Sequence, residues 1–531
     1  MSSRDLPKSF SDLAFGWTRH LDNEITINKS SQELSDRDMQ PDEVEKEHKV
    51  KMNNLWPAFC SGAGLFSDGY VNNSIGTVSS ALKTLYPVEY GQSHAISNVS
   101  SIVFVGTVVG QLGFGYISDR IARKGGMMIA NVLLILFTLL CAVATWGAHG
   151  SVGGMLAALT AFRFFLGIAI GAEYPTASVI ASEFANQLPA GKRNRYFCWF
   201  TNAMIDLGFV VSAFVPLVLL WIFSPRHLTA VWRLTLGLGV FPPLTLFFLR
   251  MKMSNSESFK KMNMNHVKTY PYFLILKFYW FRLTIVSLIW FIYDFSSYSF
   301  GIYSSFMIGA IIPDGDLYKT WGWNVVFNLF YMPGAFLGAI AADYFGPRLT
   351  IAFGTGMQGV VGFIMAALYP KLKHHVGPFV VVYGIFSTLG EFGPGDNIGL
   401  LAAKTSATPI RGQYYGIAAA IGKIGAFVGT YVFPIIIDNA GGSDTDRGNQ
   451  MPFYVSSALC IFSAILALFF CPSVGQDAIN KEDEDFKEFL KANGYDISQL
   501  GDGEVVEVES SEFEEDLKFK KSPVNVQVEK K

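Results

Sequence analysis

Runs of about 20 apolar residues, the length a helix needs to cross a bilayer, recur along the chain at 56–82, 96–118, 126–148, 154–181, 196–222, 230–250, 283–312, 321–343, 349–369, 377–403, 411–437 and 451–472. They predict an all-α membrane protein with twelve transmembrane helices. Charged residues crowd instead into the first fifty residues, the stretch Met251–Arg282 and the last fifty-five. The expected organisation is a tail at 1–51, a six-helix half at 52–250, a central loop at 251–282, a second six-helix half at 283–472 and a tail at 473–531.

Charge gives the spans a direction. The hydrophilic stretch between the sixth and seventh spans carries Arg250, Lys252, Lys260, Lys261, Lys268, Lys277 and Arg282 against a lone Glu257. Loops after spans two, four, eight and ten carry Arg120, Arg123, Lys124, Lys192, Arg193, Arg195, Arg348 and Arg411. The positive-inside rule makes these loops and both tails cytoplasmic, with Lys371 and Lys373 a mild exception on the outer side. Met1–Lys51 is polar and charged, so the first span is expected to act as a signal anchor.

Composition agrees with a polytopic membrane protein: 50% of residues are hydrophobic and 16% charged, and the mean hydropathy is +0.31. The five cysteines are scattered and form neither a disulfide framework nor a metal spacing. No nucleotide loop or nucleophile triad is present, so enzyme, cofactor and nucleic-acid readings have no support. The expected partners are a small molecule, protons and the lipid bilayer.

Charges inside the spans are the candidate chemistry. Asp294 lies in the seventh span, with Trp290 four residues before it and Tyr298 four after, one stripe of a helix. An unpaired carboxylate at that depth costs several kcal/mol, so its presence marks a functional site. Asp68, Glu173, Asp206, Glu391 and Asp396 join it, against Arg163 and Lys423. Arg163 stands open between a structural cation and a gating or substrate role, and Asp396 between a site residue and a cap.

An internal repeat divides the chain. Gly115-Tyr-Ile-Ser-Asp119-Arg120-Ile-Ala-Arg123-Lys124 follows span two, and Gly338-Ala-Ile-Ala-Ala-Asp343-Tyr-Phe-Gly346-Pro347-Arg348 follows span eight. The first copy resembles the loop signature of the major facilitator superfamily. That resemblance implies two pseudo-symmetric six-helix halves, and a gating role for Asp119, Arg120, Arg123, Asp343 and Arg348.

Further segments resemble the phosphate:proton symporter branch of that superfamily: Ser61–Tyr70, Arg163–Pro175 with Glu173 where many members have aspartate, Trp290–Tyr298, Glu391–Asp396 and Arg411–Gly425. They imply that Tyr174, Trp290, Asp294 and Tyr298 hold phosphate and that Asp68 and Glu173 pass protons, Asp294 sharing in both; Lys423, by its charge, is expected to bind the phosphate, with a structural cation as the alternative. Carboxylates depart from the branch pattern. Glu391 and Asp396 flank the Phe392-Gly393-Pro394 turn where asparagine is usual, and Asp206 stands where a glutamine-glycine pair is usual. A cavity richer in carboxylates suits a phosphodiester better than a bare dianion.

The chain thus resembles the fungal glycerophosphodiester permeases over about residues 50–475. The implied function is proton-coupled import across the plasma membrane by alternating access. The expected substrate is glycerophosphocholine, with Asp206 and Glu391 at its ammonium headgroup. Glycerophosphoinositol, inorganic phosphate and a non-transporting nutrient receptor remain the alternatives.

Overall fold

The computed structural model describes residues 55–501 except 122, 144–149, 189, 190, 254, 266, 268, 313 and 314, together with Ser9, Ser11 and Asp12. The expected tail at 1–51 and the chain beyond 501 therefore lie almost wholly outside the described residues.

Every regular element among the described residues is helical. The crossings are α1 Phe66–Leu85, α2 Ala95–Arg120, α3 Arg123–Val143, α4 Val152–Asn186, α5 Arg193–Phe223, α6 Pro225–Met251, α7 Tyr272–Gly309, α10 Val376–Lys404, α11 Thr408–Asn439 and α12 Asp446–Phe470. Between them, the run Leu317–Leu372 crosses twice, as α8 (317–345) and α9 (347–372). Gly346 makes the reversal at φ 77°, a left-handed conformation that only glycine adopts freely, and Pro347 starts the next helix with its φ already set. The total is the twelve spans that the apolar runs predict. α1 is less apolar than the rest because Ser67, Asp68, Asn72, Asn73 and Ser74 are buried inside the bundle and not presented to lipid.

Close approach of helices is built with small residues, as the spacing of Gly167 and Gly171 predicts. A Cβ at Gly167 would lie 2.1 Å from the Val103 carbonyl oxygen of α2, and one at Gly425 of α11 would lie 2.2 Å from that of Phe291 in α7. The two halves also share an irregularity. α4 contains a π-helical turn at Tyr174–Ser178 and α10 one at Glu391–Gly395, each with a proline that cannot donate to the helix ladder. At Phe392-Gly393-Pro394 the helix widens by one residue and continues, so the glycine and proline do not end it.

Three expectations about the loops need correction. α7 begins at Tyr272 and not at 283, so much of the expected central loop is helix, including Arg282, which bonds Glu482 at 2.8 Å. Arg250 is a fully buried member of α6 and not a loop charge. Arg123, Arg348 and Arg411 are likewise buried at helix starts, because each guanidinium finds partners between packed helices instead of water. A further helix, α13 Ala478–Ala492, lies against the basic end of the bundle.

Candidate transport cavity and its gate

The cavity forms where α4, α5, α7, α10 and α11 meet near the two π-helical turns, and it encloses about 40 Å³. One wall gathers most of the residues expected at phosphate. Lys423 Nζ lies 3.3 Å from Asp294 Oδ2 and 4.0 Å from Asp68 Oδ2. It donates to the Tyr298 hydroxyl and sits 5.0 Å from the centre of the Tyr174 ring. Tyr174 donates its hydroxyl to Asp68 Oδ2, which also accepts from Tyr298 at 3.2 Å. Trp290 stands between Tyr174 and Tyr415, with ring centres 6.4 and 5.4 Å away. A lone ammonium thus serves two carboxylates, and both phenols donate to one of them, Asp68.

Among the described residues the opposite wall has no cation. Asn202 Nδ2 donates to Glu391 Oε2 and Asp396 Oδ1, both at 3.1 Å, and lies 3.5 Å from Asp206 Oδ2. Tyr293 donates to Glu391 Oε1 at 2.7 Å. All three carboxylates are buried, and Asp206 Oδ1 has no hydrogen-bond partner. Gly395 makes room for the group, since a Cβ there would lie 2.1 Å from Glu391 Oε2. Asp396, left open between cap and site, therefore joins Asp206 and Glu391. Asn202, one helical turn before Asp206, was not singled out from the sequence, although its spacing places it on the same face of α5.

Two expected members stand elsewhere. Glu173 does not reach the cavity: Arg250 grips it with Nη1 and Nη2 at 2.8 Å each, while Nε and Nη2 also donate to the carbonyls of Cys60 and Ser61. The sequence-based charge balance omitted this cation because Arg250 reads as the first residue of a basic loop. Arg163 sits apart from the cavity wall and donates from Nε to the Val99 carbonyl at 2.7 Å.

The basic end is closed by an exchange between halves. α4, α8 and α12 are capped by their own preceding side chains, Ser151, Asp316 and Thr445. α5 has no such cap of its own, nor does the helix begun by Arg411. Their first amides are instead capped from the other half. Asp119 of α2 accepts from Gly412 N at 2.8 Å and Gln413 N at 2.7 Å in α11. Asp343 of α8 accepts from Asn194 N at 3.2 Å and pairs with the Arg195 side chain in α5. The two copies of the repeated segment thus do the same work at related corners.

Other charges complete the seal. Arg123 pairs with Asp119 at 3.4 Å and with Glu183, which also takes Arg411 at 3.2 Å. Glu183, at the end of α4, was missed because a lone glutamate near a basic loop gives no sign of its partners. Arg120 donates to the Met264 carbonyl and stacks 4.6 Å from the Tyr270 ring, so it fastens the connecting segment and not a carboxylate. Arg348 lies buried at the start of α9. Across the other side of the cavity, Asn73 of α1 donates to Asn328 of α8 at 2.8 Å.

Comparison with known proteins decides the family. A model described as Sugar (and other) transporter matches residues 54–269, and one described as Major Facilitator Superfamily matches residues 295–495. The chain is 67% identical to a major glycerophosphoinositol permease of Candida albicans, over 95% of each chain. It is 66% identical to a glycerophosphocholine permease of the same organism, over 97% of this chain and 96% of that one. It belongs to the major facilitator superfamily. This member of the superfamily is a multi-pass membrane transporter, not an enzyme. The fold agrees: a structure of the proton:xylose symporter XylE bound to 6-bromo-6-deoxy-D-glucose superposes with TM-score 0.69 at 15% identity, over 82% of this chain and 99% of that one. Two relatives so nearly equal in identity carry different headgroups in their names. The choice between those headgroups falls to the cavity.

Proposed function

We propose that the chain is a proton-coupled plasma-membrane importer of glycerophosphodiesters, with glycerophosphocholine its foremost substrate. The observation that carries this reading is Lys423 held between Asp294 and Asp68 at 3.3 and 4.0 Å. A phosphodiester anion can claim that ammonium only if a carboxylate releases it, and a carboxylate released into an apolar interior takes up a proton. Anion and proton then load together. Tyr174, Trp290 and Tyr298 donate hydrogen bonds to the phosphate without adding charge. Glu173, locked to Arg250, is better suited to bracing α4 against α6 than to carrying the proton.

The second wall selects the headgroup. Asp206 and Glu391, with Asp396, present negative charge to a quaternary ammonium, and Tyr293 offers an aromatic face. Bare phosphate at Lys423 would leave the three carboxylates of the second wall without a counter-charge, so that reading is disfavoured. The halves α1–α6 and α7–α12 would rock about the cavity, the basic end being cytoplasmic and the Asp119, Arg123, Asp343 and Glu183 contacts breaking as it opens.

Uptake of labelled glycerophosphocholine, glycerophosphoinositol and phosphate, in cells expressing the full chain at several external pH values, tests this. The expected result is choline-diester uptake that rises with an inward proton gradient. Equal uptake with and without the gradient would overturn the coupling, binding without flux would favour a receptor, and preference for phosphate would overturn the diester reading.

A further inference from the structure

The wall formed by Asp206, Glu391 and Asp396 is short of hydrogens as well as cations. Six carboxylate oxygens face the two amide hydrogens of Asn202, the hydroxyl of Tyr293 and the backbone N–H of Ala339 beside Asp396. Three carboxylates crowd one amide that can serve two of them, and Asp206 Oδ1, at the cavity wall, receives nothing. Lys423 is the only cation lining the cavity among the described residues, and Asp294 and Asp68 already hold it. The neighbours from each packed helix add little positive charge. They are Cys198 from α5, Tyr293 and Asp294 from α7, Tyr331 and Asp343 from α8, Lys404 from α10 and Lys423 from α11. Lys404 is itself turned to the carbonyls of Gly475 and Gln476. Full ionisation of this wall in a bilayer interior is not sustainable without a mobile positive charge.

A proton and a cationic headgroup are the two mobile charges that meet this need. We propose that the Asp206, Glu391 and Asp396 wall is a charge-exchange subsite, holding one proton when the headgroup is an uncharged polyol and yielding it to water when the headgroup is a quaternary ammonium. The proposal rests on the diester reading above and deepens it, because it lets one site carry both headgroup classes. An ammonium without N–H bonds interacts through charge and aromatic faces, so it replaces the proton one for one. A polyol needs the opposite. Its hydroxyls donate to Asp206 Oδ1, and the retained carboxyl proton donates back to a hydroxyl oxygen.

The balance has a consequence for transport. Glycerophosphocholine is a zwitterion, whereas glycerophosphoinositol carries one negative charge. If the inositol diester travels with one proton more, both substrates move the same net charge per molecule. The loaded carrier then crosses with the same electrostatic cost in either case.

The test uses the full chain in proteoliposomes, with labelled uptake, an internal pH dye and current recorded together. Expected are one additional proton per glycerophosphoinositol relative to glycerophosphocholine, and equal charge per molecule. The ratio of KM for the choline diester to KM for the inositol diester should also rise as external pH falls, by up to about tenfold per pH unit, because one proton competes with one ammonium. Taking the ratio cancels protonation shared by both substrates at Asp68 and Asp294, and it needs no variant that might misfold. Asp206→Asn should flatten that ratio. Equal proton counts, or a ratio independent of pH, would overturn the exchange while leaving a diester importer. Entry of neither diester would overturn the substrate reading and the exchange with it.

Discussion

The cavity and the basic-end gate are both built from buried carboxylates, yet they balance charge differently. At the gate each carboxylate meets a partner from the protein: Asp119 has Arg123 and two amides, Glu183 has Arg123 and Arg411, Asp343 has Arg195 and Glu482 has Arg282. In the cavity, Lys423 is shared by two carboxylates, and among the described residues three more have no cation. A gate must close on itself, so its charges are matched internally. A carrier site must be completed by what it carries, so its charges are left unmatched.

Lys423→Gln breaks the comparison most severely, because it removes the one cation lining the cavity among the described residues. Losing one member of a buried ion pair costs about 3–5 kcal/mol of stability, and losing the charge that holds the anion costs about 3 kcal/mol of affinity, which corresponds to binding weaker by about 100-fold. The double variant Lys423→Gln with Asp294→Asn should recover surface expression without recovering uptake. Expression and uptake restored together would show that the lysine is structural.

Glu183→Gln tests the gate side. It leaves Arg123 and Arg411 facing each other, and a loss of about 3 kcal/mol is expected in the stability of the purified protein. Cysteine-reagent labelling at the basic end should increase, and an unchanged melting temperature would argue against a sealing role. Glu391→Asn or Asp206→Ala should lower choline-diester uptake relative to phosphate uptake by about tenfold, about 1.4 kcal/mol, within the range of a desolvated cation site. An unchanged preference would remove the headgroup assignment.

Asp119→Ala and Asp343→Ala should each weaken closure by about 1 kcal/mol through the lost cap. Similar effects from the two would support their equivalence across the halves. The smallest effect is a pH dependence of α13 docking. Burial pushes the Asp483 carboxyl above its usual 3.8, against the opposing pull of Arg411 and Thr408. A raised carboxyl means that the docked helix binds the proton more tightly than the free one, so docking is strongest in acid and weakens as pH rises through the docked value. Proteolysis within 478–492 should therefore increase with pH over that interval, and Asp483→Asn should flatten the dependence.

Much of this was legible along the chain. The spans, the repeat and the glycine contacts follow from hydropathy and spacing, because lipid demands long apolar runs and close helix approach demands small residues. The stripe of Trp290, Asp294 and Tyr298 follows from helical period alone. Glu173, Arg250 and Glu183 were misjudged or missed because pairing is a property of three dimensions. Glu173 and Arg250 are far apart in sequence, and nothing around either announces the other. Nothing in the tail at 473–531 announced the partners of its carboxylates, Tyr279 and Arg282 for Glu482 and Thr408 for Asp483.

The amino-acid sequence by itself determined that this chain is a twelve-span membrane protein in two related halves with costly charges at its centre, since hydrophobic length, repetition and intramembrane charge are local quantities. Tertiary structure alone decided which charges are satisfied by the protein and which are left for a substrate or a proton. Electrostatic energy depends on distances between helices. Those distances are set by packing, not by order along the chain.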